Sequence, residues 1–127
     1  MSTSVYVVSS DYITSEQALD FLADLQAIGI NRENVDAQMV DGESNIWIKF
    51  LGSSVLDESD EEELDSWAEC LGADACSFFE LTIGKGEGSM QLAVKTAREA
   101  MERWNAVVDD LYESVYNKDN LSRILEV

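Results

Sequence analysis

Between Asp57 and Glu69 the sequence sets eight carboxylates, Asp57, Glu58, Asp60, Glu61, Glu62, Glu63, Asp65 and Glu69, with no Lys, Arg or His among them. Side chains of this kind can hold a divalent cation, work as an acid and base pair, or meet a cationic surface. The calcium loop fails on register. Counted from Asp57, Ser59 and Glu61 fall on tolerable ligand positions, but Glu62 stands where the turn needs Gly, and Ala68 where the bidentate Glu belongs. The chain has no histidine, so the commonest general base and the usual activator of a Ser or Cys nucleophile are missing. Zinc sites of mixed His and Cys are excluded by count. Carboxylate pairs arise by chance among 26 acids and point to no reaction. The expectation is a protein without enzymatic activity, metal or cofactor, whose acidic run meets a partner.

Two other groups could carry chemistry. The stretch GKGEGS, residues 84–89, joins a strand pattern to a helix pattern, the place where backbone amides can cradle phosphate. Its glycines, Gly84, Gly86 and Gly88, miss the dinucleotide spacing, no G-K-[ST] follows, and Glu87 would repel an anion. A flexible turn is the expectation. Cys70 and Cys76 form no C-x-x-C pair and read as buried thiols rather than a bridge.

Twenty-six acids against eight bases give a formal charge of −18. Such a field draws positive partners in and disfavours nucleic acid and anionic lipid, whose binding needs clustered Lys and Arg. An acid-rich, Lys-poor surface also suits a saline cytoplasm. The opening MSTSVYVVSSDY has no basic region or long apolar segment, and no apolar run reaches about 18 residues. A reducing, cytoplasmic setting without membrane contact is expected.

These residues must be positioned by one domain, residues 1–127. SVYVV (residues 4–8) reads as a strand. Thr14 with Gln17 makes a capping box for a helix bearing Ala18, Leu19, Leu22, Leu25 and Ile28 and closed by Gly29. VDAQMV and IWIKFL alternate around the five-residue turn DGESN as a hairpin. Ser59 with Glu62 predicts a second cap before Leu64, Trp67, Ala68 and Leu71, with Trp67 in the core. CSFFELTI (residues 76–83) supplies a further strand. The order β-α-β-β-α-β predicts an α+β fold with a ferredoxin-like core over residues 1–83. Both helices should then pack on Val5, Val7, Ile46, Ile48, Phe79 and Leu81. The other sheet face, with Tyr6, Val8, Trp47, Leu51 and Phe78, is too apolar to stay wet. An extension, residues 84–127, should cover part of it with a helix from Ser89 to Trp104, followed by the strand-like AVVDD and a last turn capped by Asp119.

RWNAVVDDLYESVY, residues 103–116, adds a resemblance. Trp104, Val107, Val108, Asp109, Asp110, Val115 and Tyr116 look like the W-x-x-V-V-D-D…V-Y ending of small immunity proteins from bacterial polymorphic toxin systems, including contact-dependent inhibition. The resemblance spans about an eighth of the chain. It implies a cytoplasmic antidote that binds and neutralises a cognate, often basic, nuclease toxin, and it carries over no contact residue. Joined to the charge, it gives an expected function: an acidic protein-binding inhibitor that occludes a basic toxin's active site through the eight carboxylates. The alternatives are a phage-type nucleic-acid mimic that inhibits a host defence protein and a small carboxylate-using enzyme built around the glycine loop.

Overall fold

A computed structural model describes residues 3–110 and 114–126. Seven strands, β1 Thr3–Ser9, β2 Ile28–Asn31, β3 Asp36–Asp41, β4 Ser44–Gly52, β5 Ser77–Ile83, β6 Ala106–Asp109 and β7 Val115–Tyr116, form one sheet. Three helices, α1 Ser15–Asp24, α2 Glu61–Leu71 and α3 Ser89–Arg103, and two 3-10 helices, Ser54–Glu58 and Leu121–Glu126, complete an α+β fold. Sheet order is β2-β3-β4-β5-β1-β6-β7 with every neighbouring pair antiparallel.

The sheet order expected over residues 1–83 is not the one formed. Its four strands lie as β3-β4-β5-β1, so β5, not β1, takes the inner place, and β1 turns its other side to β6. Two parallel relationships result from the antiparallel ladder. β1 and β4 run parallel with β5 between them, and β5 and β6 run parallel with β1 between them. α3 makes the second crossover, so residues 84–109 are integral to the sheet rather than appended to it.

The first face buries Val5, Val7, Ile46, Ile48, Phe79, Leu81 and Val108 under α1 and α3. Ala18, Leu19, Phe21 and Leu22 come from α1, and Leu92, Ala93, Ala97 and Ala100 from α3. Phe21, Phe79 and Trp104 meet here with ring centroids 5.2–5.8 Å apart. α2 lies on the opposite face, contrary to the expected pairing with α1. Its Trp67 and Leu71 cover Val8, Phe78 and Val107, helped by Val55 of the first 3-10 helix. α3 and the last 3-10 helix, expected as part of the extension to cover this second face, pack on the first one instead. Sheet alternation makes both faces apolar at this end, and α2 and α3 each take the face that the other leaves.

Local signals account for most element ends. Thr14 and Gln17 form the predicted capping box. The α1 stripe ends earlier than expected: Leu25 is the C-cap and Gln26 takes φ 62°, so Ile28 and Gly29 belong to the edge strand β2. Gln26 reverses the chain without glycine, which removes the usual stop signal. The hairpin turn has two residues, Gly42 and Glu43, with Asp41 opposite Ser44 and Gly42 at φ 64°. At the chain's end Asn117 takes the role expected of Asp119, its Oδ1 accepting from the amides of Asp119 and Asn120. No helix among the described residues is long and apolar enough to cross a membrane.

Candidate protein-docking face

The cap of α2 sits one residue later than predicted. Asp60 accepts from the Glu63 amide at 2.9 Å, and the Glu63 carboxylate returns to the Asp60 amide at 3.4 Å. Ser59 instead donates its hydroxyl to the Val55 carbonyl and closes the 3-10 helix. Both registers match the cap pattern in sequence; the preceding turn decides between them.

All eight carboxylates of the run are exposed and lie on the Ser54–Glu58 turn, at the α2 N-cap and on α2 itself. They do not form one uniform surface. Asp60 and Glu63 serve the cap. Glu61, Asp65 and Glu69 recur every four residues, on the side of α2 away from buried Trp67. The side-chain carboxylates of Asp57, Glu58, Glu61, Glu62, Asp65 and Glu69 make no hydrogen bond or ion pair among the described residues. Five of the eight bases, Lys95, Arg98, Arg103, Lys118 and Arg123, belong to α3 and the segment after β7. Arg103 pairs with Asp24 there and lies over the Phe21 ring. Most bases are thus gathered on the first side, where acids of α1 and α3 accompany them, and on the second face Lys49 stands among carboxylates.

The pairing registers divide that face into three rows. Val8, Phe78 and Val107 form the row beneath α2. Asp36, Lys49, Glu80, Tyr6 and Asp109 form the middle row. Ile28, Gln38, Trp47, Thr82 and Ser4 form the outer row, which no helix covers. Trp47 there is 53% exposed, and Ile28 and Val40 nearby 53% and 49%. Burial first, then the carboxylates of Glu80, Glu58, Glu63 and Asp109, hold the Tyr6 phenol above its ordinary value. The run and the middle row therefore act on one another electrostatically. A cleft of about 380 Å³ beside α2 has Leu56, Leu64 and Ala75 as apolar walls and Asp65 and Asp74 as carboxylates.

The remaining candidates resolve into structure. Trp67 is core, as expected, and its Nε1 donates to Asp109 Oδ2 at 2.7 Å; Leu64 is only half-buried. The motif resembling immunity proteins is absorbed by the fold. Trp104 packs on Phe21 and Phe79, Val107 and Val108 face opposite cores, and Asp110 accepts from the Ser114 amide. Residues 111–113 of that stretch lie outside the described residues. The glycine loop is a close-packed turn rather than a flexible one. A Cβ on Gly84 would lie 1.9 Å from Asn45 Oδ1, and one on Gly86 1.5 Å from the Glu43 carbonyl oxygen. The loop's backbone meets the β3–β4 turn, with the Gly84 amide donating to Asn45 and the Ser44 hydroxyl to Glu87. Cys70 is exposed and Cys76 half-buried, so neither is the buried thiol expected, and they are not bridged. Among the described residues no three Cys, Asp or Glu side chains converge as a metal site.

The outer row was seen in sequence only as an apolar face to be covered. Its exposure has no local signal, because it depends on where α2 and α3 dock. No family model matches the chain, and no curated protein or solved structure shows significant similarity to it.

Proposed function

We propose that this chain is an acidic inhibitor of a cationic protein, and specifically an immunity protein that neutralises a basic toxin, a nuclease domain foremost, by covering its active site. One observation carries this reading: six carboxylates of the run stand exposed without a partner among the described residues, on the face from which the bases are largely withdrawn. Nuclease sites present Lys and Arg to hold phosphate. A surface of fixed carboxylates complements those positions, speeds encounter and leaves substrate no room. Such an antidote acts in the cytoplasm, without nucleic acid or membrane as its own ligand. The two split units, β1-α1-β4 and β5-α3-β6, favour a ferredoxin-like description of the core, with its second half drawn from beyond residue 83.

The test uses a purified basic nuclease toxin domain, sought first among the genes neighbouring that of this chain. Glu61, Glu62 and Asp65 changed together to Lys should cost at least a hundredfold in affinity, mostly through a slower association that loses its salt dependence. Asp60 and Glu63 stay intact, because changing the cap would confuse folding with binding. The melting temperature should stay level or rise slightly as repulsion is relieved. Equal inhibition by parent and variant at low salt would remove the acidic run from the contact.

A further inference from the structure

We infer that the open outer row of the second sheet face, centred on Trp47, is the contact centre for an arginine-bearing patch of a cationic protein, and that the acidic run is its rim. This rests on the inhibitor reading above and names where its binding energy is concentrated.

The row carries no charge of its own. Gln38 and Thr82 flank Trp47 on the neighbouring strands, and Ile28 continues the row to the sheet edge. Trp47 is the one tryptophan of three with most of its surface open, since Trp67 is buried and Trp104 half-buried. A rigid indole held on a central strand loses little conformational freedom on binding, and interface hot spots favour Trp together with Arg. Beside it runs the middle row, where Lys49 stands between Asp36 and Glu80, with Tyr6 and Asp109 beyond. The field of Glu58 and Glu63 reaches this row, as the raised Tyr6 phenol records.

The occupant follows from charge. A second copy would bring its own −18 against this face and is repelled. An anionic lipid or nucleic acid meets the same repulsion. A cationic protein is drawn in, and of the two basic side chains Arg suits the site better. Its planar, weakly hydrated guanidinium stacks on an indole while its edge donates to Glu80 or Asp36, whereas Lys keeps its hydration. Carboxylates attract both and can themselves favour the Arg fork. The mark of Trp47 is therefore the part of the Arg preference that is lost with the indole.

Oligo-arginine and oligo-lysine peptides of equal length serve as probes, titrated at low ionic strength and followed by tryptophan fluorescence and calorimetry. The parent should bind the arginine peptide roughly tenfold more tightly than the lysine peptide, with quenching of Trp47. Trp47→Thr, which keeps a strand-forming residue, should cut that preference severalfold, to what the carboxylates alone give, and leave lysine-peptide binding unchanged. Val40→Lys, exposed beside the row, should weaken the arginine peptide without touching the indole. The lysine reversals at Glu61, Glu62 and Asp65 should weaken both peptides alike. If Trp47→Thr retains the full arginine preference while the reversals still weaken binding, the tryptophan centre is overturned and the acidic surface stands. If the reversals also do nothing, or the parent binds neither peptide, both readings fall. A parent dimer in sedimentation that Trp47→Thr dissociates would assign the face to a second copy and overturn the inference.

Discussion

The two faces of the sheet start from similar sequence patterns and end in different states. Ile46, Ile48 and Phe79 on one face alternate with Trp47, Lys49 and Phe78 on the other, and large apolar residues point both ways. The first face is roofed along its length by α1 and α3. The second is roofed at one end by α2, and its other end leaves Trp47 in solvent. Alternation therefore tells which residues share a face, while helix docking tells which of them count as core.

The sharpest way to break this contrast is to cut into the roofed face. Phe79→Ala should cost about 3–5 kcal/mol, because Phe79 is 1% exposed and meets Phe21, Phe50 and Trp104. Denaturant unfolding measures it, and a loss below about 1 kcal/mol would show that α1 and α3 do not form one core with the sheet.

The covered end of the second face should respond less to a milder change. Trp67→Phe keeps most of the packing against Phe78 but removes the Nε1 donor to Asp109. A bond to a charged acceptor is worth about 1.5–3 kcal/mol. The loss should shrink when Asp109→Asn is already present, and a double-mutant cycle with no coupling would refute the bond's role.

The middle row can be read by titration. Tyr6 ionises above its ordinary value of about 10 because burial and nearby carboxylates oppose the phenolate. The native state then holds a proton that the unfolded chain has lost, so stability falls as pH rises through this range. Ultraviolet titration should show Tyr6 ionising above the ordinary tyrosine range. Glu58→Gln or added salt should bring it partway down, leaving the part due to burial. A Tyr6 transition indifferent to both would place the acidic run too far away to act on the row.

The smallest effect belongs to the open row. Trp47→Thr should change stability by no more than about 0.5 kcal/mol, as for surface changes generally. A loss of several kcal/mol would mean that the row is covered and that the faces differ less than described.

Much of the chain was legible locally. The Thr14–Gln17 cap, the helix from Ser89, strand β5 and the hairpin of β3 and β4 all rest on periodicity or on a few neighbouring side chains. Misreadings came where two local options were equally good. Ser59–Glu62 and Asp60–Glu63 both satisfy a capping box, and the Ser59 hydroxyl was claimed by Val55. Ile28 continued the α1 stripe by spacing, yet Gln26 turned the chain into β2 first. Sequence alone determined the α+β composition, the placing of acid on α2 and its preceding turn, and the absence of histidine chemistry, since these depend on residue type and short spacing. Only the tertiary structure decided that β5 lies inside β1, that α3 rather than α2 joins α1, and that Trp47 stays open while Trp67 is buried. Those outcomes depend on contacts between segments far apart in the chain, and two faces of like apolarity leave that competition undecided until every helix has docked.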